Sequence, residues 1–342
     1  MLPLLSGNEF SRMSFPFELV DSSQVGEARR FALVLCSELD FEETRQGRVG
    51  IIVNELGNNL VRYASHSRLI FRKFSDSTGV GVEILSIDSG PGLDIDRALE
   101  DGYSTGGTPG TGLGSVRRLS DVFDIHSSIE KGTVVLSRVN SRTPIHVDGS
   151  GVLEIGAVNI ALAGEDVCGD SWCVKQSGTD YSVLVVDGLG HGPFANQAAS
   201  IAVDSFLESA AGGVAEAMQH IHSRLKGSRG AAVFIVKIQN GSASFVGVGN
   251  IRAVLKSETE MKTLITQNGT AGLNIGSLKV FSQPWESDGF LILHSDGISS
   301  RWDLSAYPGI IHRHPSILAA VLYRDYSRGT DDSTVVVVRK MK

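Results

Sequence analysis

Cysteine is scarce. Cys36, Cys168 and Cys173 cannot all pair and lack the spacing of a zinc site, which excludes a disulfide scaffold and leads us to expect a reducing, cytoplasmic setting. No run approaches the roughly 20 apolar residues of a membrane span, and the first residues have no basic lead, so we expect neither a membrane anchor nor a signal peptide. Basic charge is also short: 31 Lys and Arg against 38 Asp and Glu give a net charge of −7. That excludes sequence-independent nucleic-acid binding, which needs a basic footprint, and leaves a surface suited to protein partners. No repeat of fixed period and no low-complexity segment is present.

What is there is an ordinary globular composition, 42% hydrophobic and 20% charged over 342 residues, more than one core usually serves, so two domains are expected. The seam is placed at Asn140-Ser141-Arg142-Thr143-Pro144, giving domains 13–140 and 151–342 and a linker at 141–150. Before it, Val25, Ala28, Ala32, Leu35, Cys36 and Leu39 recur at helical spacing, with Ser22 and Ser23 available as caps. A second helix is expected over 42–64, and strands around 68–73, 80–87, 123–129 and 133–139. Beyond the seam, seven strands fall between Leu153 and Leu293, with helices near 194–211 and 214–225. The expected class is α+β.

Two groups of residues carry chemistry. In the first domain Glu55, Asn59 and Arg62, at i, i+4 and i+7, share a helix face. Asp88-Ser89-Gly90-Pro91-Gly92 leaves a buried strand, where a carboxylate can accept a hydrogen bond from an adenine amino group and glycines let the backbone approach a ligand. Taken alone, this is also an ordinary strand-to-loop turn. The glycine-rich stretch from Ser104 to Gly114 runs into a helical segment at Ser115–Leu119, an arrangement that offers backbone N–H groups to phosphate; its bland alternative is a flexible linker. No Gly-Lys-Ser/Thr follows, so it is not a Walker loop.

Asn54-Glu55-Leu56-Gly57-Asn58-Asn59, Asp88 to Gly92, Asp101 to Thr105, Gly110-Thr111-Gly112-Leu113-Gly114 and Gly132-Thr133 occur in the order found in GHKL-type ATPases, and resemble the RsbT-like serine/threonine kinases of bacterial stress signalling. The resemblance implies a Bergerat-type α/β sandwich that binds ATP and Mg²⁺. By it, Glu55 would orient or deprotonate the acceptor hydroxyl and Asn59 would hold Mg²⁺. Asp88 would read adenine, Gly90 and Gly92 would line the floor, Gly110, Gly112 and Gly114 would cover the phosphates, and Thr133 would support the adenine contact.

In the second domain Cys168-Gly169-Asp170, Asp187 to Gly192, Ser295-Asp296-Gly297 and Asp331-Asp332 each sit where an apolar run ends, so a fold can gather them. Oxygen ligands of this kind suit Mg²⁺ or Mn²⁺, and no Ser/His/Asp or Cys/Arg nucleophile set competes. With Arg229-Gly230-Ala231-Ala232 and Gly249-Asn250-Ile251, these segments resemble the PPM metal-dependent phosphatases in their SpoIIE and RsbX-like branch, implying an α-β-β-α sandwich. The resemblance makes Asp187 the catalytic bridge between two Mn²⁺ or Mg²⁺ ions, with the Gly188 carbonyl, Asp170, Asp296 and Asp331 completing the set. Asp331 is preferred over Asp332. His191 and His294 remain equal candidates for protonating the leaving hydroxyl.

The sequence thus leads us to expect a bifunctional signalling enzyme that phosphorylates and dephosphorylates serine or threonine on STAS-type partner-switching proteins. The alternative is a phosphatase whose first domain only senses nucleotide or docks a partner. Homodimerisation is left open.

Overall fold

The structure, a computed structural model, describes residues 12–76, 79–99, 112–142, 153–209, 212–257, 260–285 and 289–340. It groups the chain into two compact units, Met1–Asp148 with Asp303–Arg324, and Gly149–Trp302 with Asp325–Lys342.

The first unit holds β1 (Phe15–Glu18), α1 (Ser22–Glu38), α2 (Glu43–Tyr63), β2 (Arg68–Asp76), β3 (Gly79–Ile87), α3 (Ile95–Ala98), α4 (Gly112–Leu119), β4 (Val122–Ser128) and β5 (Gly132–Asn140). Its antiparallel sheet runs β1-β2-β3-β5-β4. The cap of α1 is Asp21 rather than the expected serines, which already lie in the first turn. Asp21 Oδ1 accepts from the Ser23 amide at 2.7 Å, and Gln24 Oε1 accepts in return from the Asp21 amide at 3.1 Å, a reciprocal capping box. The apolar stripes of α1 and α2 pack on one sheet face, with Val25, Ile52 and Leu56 against Leu69, Phe71, Ile84 and Val135. A Cβ on Gly57 would stand 2.7 Å from Val25 Cγ1, so this motif glycine serves the close approach of α1 and α2.

The opposite face explains why β5 is buried at all nine positions. It carries Arg72, Glu83 and Arg138, with Arg72 Nη2 2.9 Å and Arg138 Nε 2.7 Å from the two Glu83 oxygens. Arg138 also reaches Asp76 at 2.8 Å, and Ser316 Oγ donates to Glu83 at 2.7 Å. Burial would raise the Glu83 pKa, but the two guanidiniums override it and hold the carboxyl at about 2. Ser316 belongs to Asp303–Arg324, a segment deep in the second half of the sequence that groups with this unit. The linear division into 13–140 and 151–342 therefore does not describe the contacts, because a seam read along the chain cannot register a return from 160 residues away.

The second unit contains β6 (Leu153–Ile160), β7 (Asp170–Ser177), β8 (Asp180–Gly188), α5 (Pro193–Glu208), α6 (Val214–Arg224), β9 (Ala231–Gln239), β10 (Ser242–Val248), β11 (Arg252–Lys256), β12 (Met261–Leu264), β13 (Phe281–Pro284) and β14 (Phe290–His294). After α7 (Pro315–Tyr326), which groups with the first unit through Arg324, the unit closes with β15 (Ser333–Lys340). Two antiparallel sheets, β13-β10-β9-β8-β7 and β12-β11-β14-β15-β6, face each other across a core of Trp172, Val185, Phe234, Phe245, Leu293 and Val336. Helices α5 and α6 cover the outer face of the first through Ala198, Ala202, Phe206 and Met218. Strands β1, β12, β13 and β15 and helix α7 were not expected from sequence. β15 is a continuous buried run, Val335–Val338, whose period is uninformative about strand or helix. Among the described residues, no helix is long and apolar enough to cross a membrane.

Candidate active sites

In the first unit, α2 presents Glu55 and Asn59 one turn apart, both partly exposed. Gly112, at the start of α4, faces them: a Cβ there would lie 3.2 Å from Glu55 Oε2 and 3.4 Å from Asn59 Nδ2. The helix that offers its amide end thus begins beside the two polar side chains, as the phosphate reading requires. Gly114 is buried in the same helix. Gly110 and the Asp101–Thr105 motif lie outside the described residues. Asp88, at the exit of β3, is 9% exposed. Its Oδ1 accepts from the amides of Gly90 at 2.7 Å and Thr133 at 3.3 Å, while Oδ2 accepts no bond among the described residues. Burial pushes its pKa up, against those two donors.

The glycines around Asp88 are sterically required at two places. Gly92 has φ +76° and a Cβ there would meet the Ser128 carbonyl at 2.5 Å, while a Cβ on Gly132 would meet the Asp88 carbonyl at 2.1 Å. Thr133 Oγ1 lies 3.0 Å from Ser127 Oγ, which also accepts from the Leu93 amide. Sequence reasoning missed Ser127 and Arg324, whose Nη1 donates to the Asp88 carbonyl at 3.0 Å. Only a long-range pairing signal could have revealed the latter.

In the second unit, Asp170 and Asp187 are direct cross-strand partners in the β7–β8 register. Like charges so placed repel. Asp170 is 4% exposed, its Oδ2 has no hydrogen-bond partner, and its main-chain carbonyl accepts from Asn159 Nδ2. Burial is the largest influence on its pKa; Asp332 and Asp331 add to it, the hydroxyls of Ser295 and Thr334 oppose it, and the result is about 7. Asp187 is pushed further, to about 9, by burial and then by Asp170, Asp296, Asp331 and Asp332. Asp296 is raised by burial and Asp331, and its Oδ2 accepts from Asn250 Nδ2 at 2.7 Å.

Glycines let these strand ends converge. A Cβ on Gly297 would stand 1.9 Å from the Asp332 carbonyl, and one on Gly188 2.2 Å from that of Ala195. Asp332 is committed to the fold, since its two oxygens accept from the amides of Leu162 and Gly169, both at 2.8 Å. Asp331 is less buried and accepts from the Asp332 amide, which favours it over Asp332 as a ligand. Among the described residues no group of three or more His, Cys, Asp or Glu side chains is arranged, as it stands, to hold a metal ion. The donor types nonetheless suit hard divalent cations: an orphaned carboxylate oxygen and aspartates that raise one another, with water to complete the shell.

The histidines separate clearly. His294 is buried, with Nδ1 2.8 Å from the Ser295 carbonyl and Nε2 accepting from Trp302 Nε1 at 3.1 Å, and burial drives its pKa down to about 4. His191 is exposed between Gly190 and Gly192, with Nδ1 2.6 Å from Glu165 Oε1. The three cysteines are buried, and among the described residues none is joined in a disulfide. Burial raises the Cys36 thiol to about 12 and the Cys168 thiol well above its ordinary value, so a redox role is disfavoured.

The histidine kinase-like ATPase domain family matches residues 20–138. The chain is 35% identical to the serine/threonine-protein kinase RsbT of Bacillus subtilis (strain 168) over 109 residues, 32% of this chain and 82% of that one. The chain belongs to the RsbT-type kinase family. It is also 27% identical over 139 residues to the phosphoserine phosphatase RsbX of the same organism, covering 40% of this chain and 70% of that one. A solved structure from work on the bacterial stressosome, described as a modular system adapted to control secondary messenger signalling, superposes with a TM-score of 0.51 at 30% identity. It covers 55% of this chain and 99% of its own. The chain is thus an RsbT-like kinase domain joined to a second domain similar to the phosphatase RsbX.

Proposed function

We propose that the chain both phosphorylates and dephosphorylates serine or threonine on STAS-type partner-switching proteins. The observation that carries the hydrolytic half is the aspartate cluster, where Asp170 Oδ2 is buried without a donor among the described residues and Asp187 is pushed up to about 9 by burial and then by its neighbours. A cluster that repels itself is stabilised by bound cations. Asp170, Asp187, Asp296, Asp331 and the Gly188 carbonyl would hold two Mg²⁺ or Mn²⁺ ions, which supply Lewis acidity towards a phosphate ester. Water then adds to phosphorus, the bond to the seryl oxygen breaks, and that oxygen leaves with a proton. His191, set by Glu165, is the donor in this scheme; His294 is already committed to Trp302.

In the first unit, ATP would place its adenine amino group on Asp88, whose unused Oδ2 is the acceptor, and its phosphates at the start of α4. Asn59 would hold Mg²⁺ there. Glu55 would take the proton of the acceptor hydroxyl as its oxygen bonds to the γ-phosphorus and ADP leaves. The Gly112–Glu55 proximity supports this placement. The names of the relatives support the substrate: RsbT is a serine/threonine kinase and RsbX a phosphoserine phosphatase.

Incubation with labelled ATP and a candidate STAS protein, followed by Mn²⁺ without ATP, tests both halves. Transfer by wild type and none by Glu55→Ala with ATP still bound is expected, as is Mn²⁺-dependent release. Absence of transfer in both, with ATP bound, reduces the first unit to a nucleotide sensor or docking module. Absence of release overturns the phosphatase assignment.

A further inference from the structure

Beside the aspartate cluster lies a small apolar patch that the hydrolytic scheme does not use. Leu189, Phe194 and Leu273 are 41%, 63% and 61% exposed, and each of the three residues lies beside Arg229 or Gly230. The Leu189 amide donates to the Gly230 carbonyl at 3.0 Å, and Leu273 Cγ lies 3.3 Å from where a Cβ on Gly230 would stand. The Arg229 guanidinium sits 5.1 Å over the Phe194 ring, and its Nη1 is 2.9 Å from the Cβ position of Gly190, two residues after Gly188. Arg229 is exposed and forms no hydrogen bond or ion pair among the described residues. A stacked guanidinium is weakly hydrated and held in place, which suits it to binding a carboxylate. Contiguous exposed apolar residues with an arginine at their centre have the make-up of a binding hot spot.

We infer that this patch selects the phosphoprotein substrate, binding a segment that carries an apolar side chain and a carboxylate beside the phosphoserine. The inference rests on the phosphatase reading of the neighbouring cluster. Charge complementarity carries the choice of occupant. The cluster and its surroundings are acidic, with Glu165, Asp296 and Asp331, so cations there would take the phosphate and Arg229 is left for a separate acid. Leu189, Phe194 and Leu273 bury the apolar residue, while the phosphate alone decides whether chemistry occurs.

The test uses the full chain with Mn²⁺, p-nitrophenyl phosphate, and synthetic phosphoserine peptides with Leu and Glu, Ala and Glu, or Leu and Lys flanking the phosphoserine. Wild type should favour the Leu/Glu peptide by about tenfold in KM, the worth of one good contact. Phe194→Ser/Leu273→Ser should erase the Leu preference, and Arg229→Glu should reverse the Glu over Lys preference, with p-nitrophenyl phosphate turnover unchanged in both. All three side chains are exposed, so folding is preserved. Turnover of p-nitrophenyl phosphate without peptide preference, or with the same preference in every variant, overturns the patch alone. A parallel loss on p-nitrophenyl phosphate makes the patch structural and also overturns it. No hydrolysis of any substrate by wild type overturns the phosphatase reading and the patch together.

Discussion

The two sites solve the problem of burying a carboxylate in opposite ways. Asp88 has its charge met by its own backbone, with amides from Gly90 and Thr133 on one oxygen, so the cradle is stable without a ligand and presents one free acceptor. Asp170 and Asp187 face each other across β7 and β8 with further aspartates behind them, and among the described residues only the hydroxyls of Ser295 and Thr334 oppose this at Asp170. The first site meets its carboxylate from within; the second favours the protonated acids, and a bound cation would take the place of those protons. Like charges brought together by folding have to be offset by something outside the chain.

The contrast is broken most directly at Asp187. Asp187→Asn should reduce Mn²⁺-dependent phosphoserine release by more than about 100-fold, since even partners behind a ligand cost 10–100-fold. The same variant should be more stable than wild type without metal. A carboxyl whose folded pKa lies near 9 rather than 3.8 contributes stability that is present below pH 4 and lost as pH rises towards 9. The advantage of the variant therefore widens over that window, and Mn²⁺ should raise the melting temperature of wild type alone. A metal-free variant that melts below wild type at pH 8 would contradict the charge argument.

For the cradle, Asp88→Asn should weaken ATP binding by about 10–100-fold, the cost of a charged hydrogen bond, without a metal-dependent change in stability. Calorimetric titration with ATP checks it. Asn250→Ala should lower Mn²⁺ affinity by about tenfold through Asp296, read by Mn²⁺ titration of activity.

The smaller effects concern stability alone. Glu83→Gln leaves Arg72 and Arg138 buried without their carboxylate and should cost about 3–5 kcal/mol by denaturant unfolding. In wild type the Glu83 contribution is complete above its ordinary pKa of 4.5 and disappears as pH falls towards 2. His294 acts earlier. Its folded pKa of about 4 lies below the ordinary 6.5, so the unfolded chain takes up a proton first and stability falls between pH 6.5 and 4. Thermal melts from pH 7 to 5 should show a smaller loss in His294→Gln than in wild type.

Much of this was legible in the residues. The stripes of α1 and α2, the glutamate and asparagine one turn apart, and the aspartates at strand ends are local patterns, and local patterns survive without tertiary information. The cap at Asp21 was misplaced by one residue because two serines follow it. The run Val335–Val338 gave no period, and α7 is buried from Pro315 to Tyr323, so it shows no polar face to mark it as a helix. Asp331 and Asp332 differ in which amides point at which oxygens, and His191 and His294 in burial, neither of which is visible along the chain.

By itself the sequence determined most of the elements and set out two groups of chemistry-bearing residues, since periodicity and strand-end motifs are properties of neighbouring positions. Tertiary structure alone decided that Asp303–Arg324 packs with the first unit, that Gly57 and Gly297 exist for close approach, and that five aspartates share one electrostatic environment. Those outcomes depend on distances between residues far apart in the chain, which the order of residues does not record.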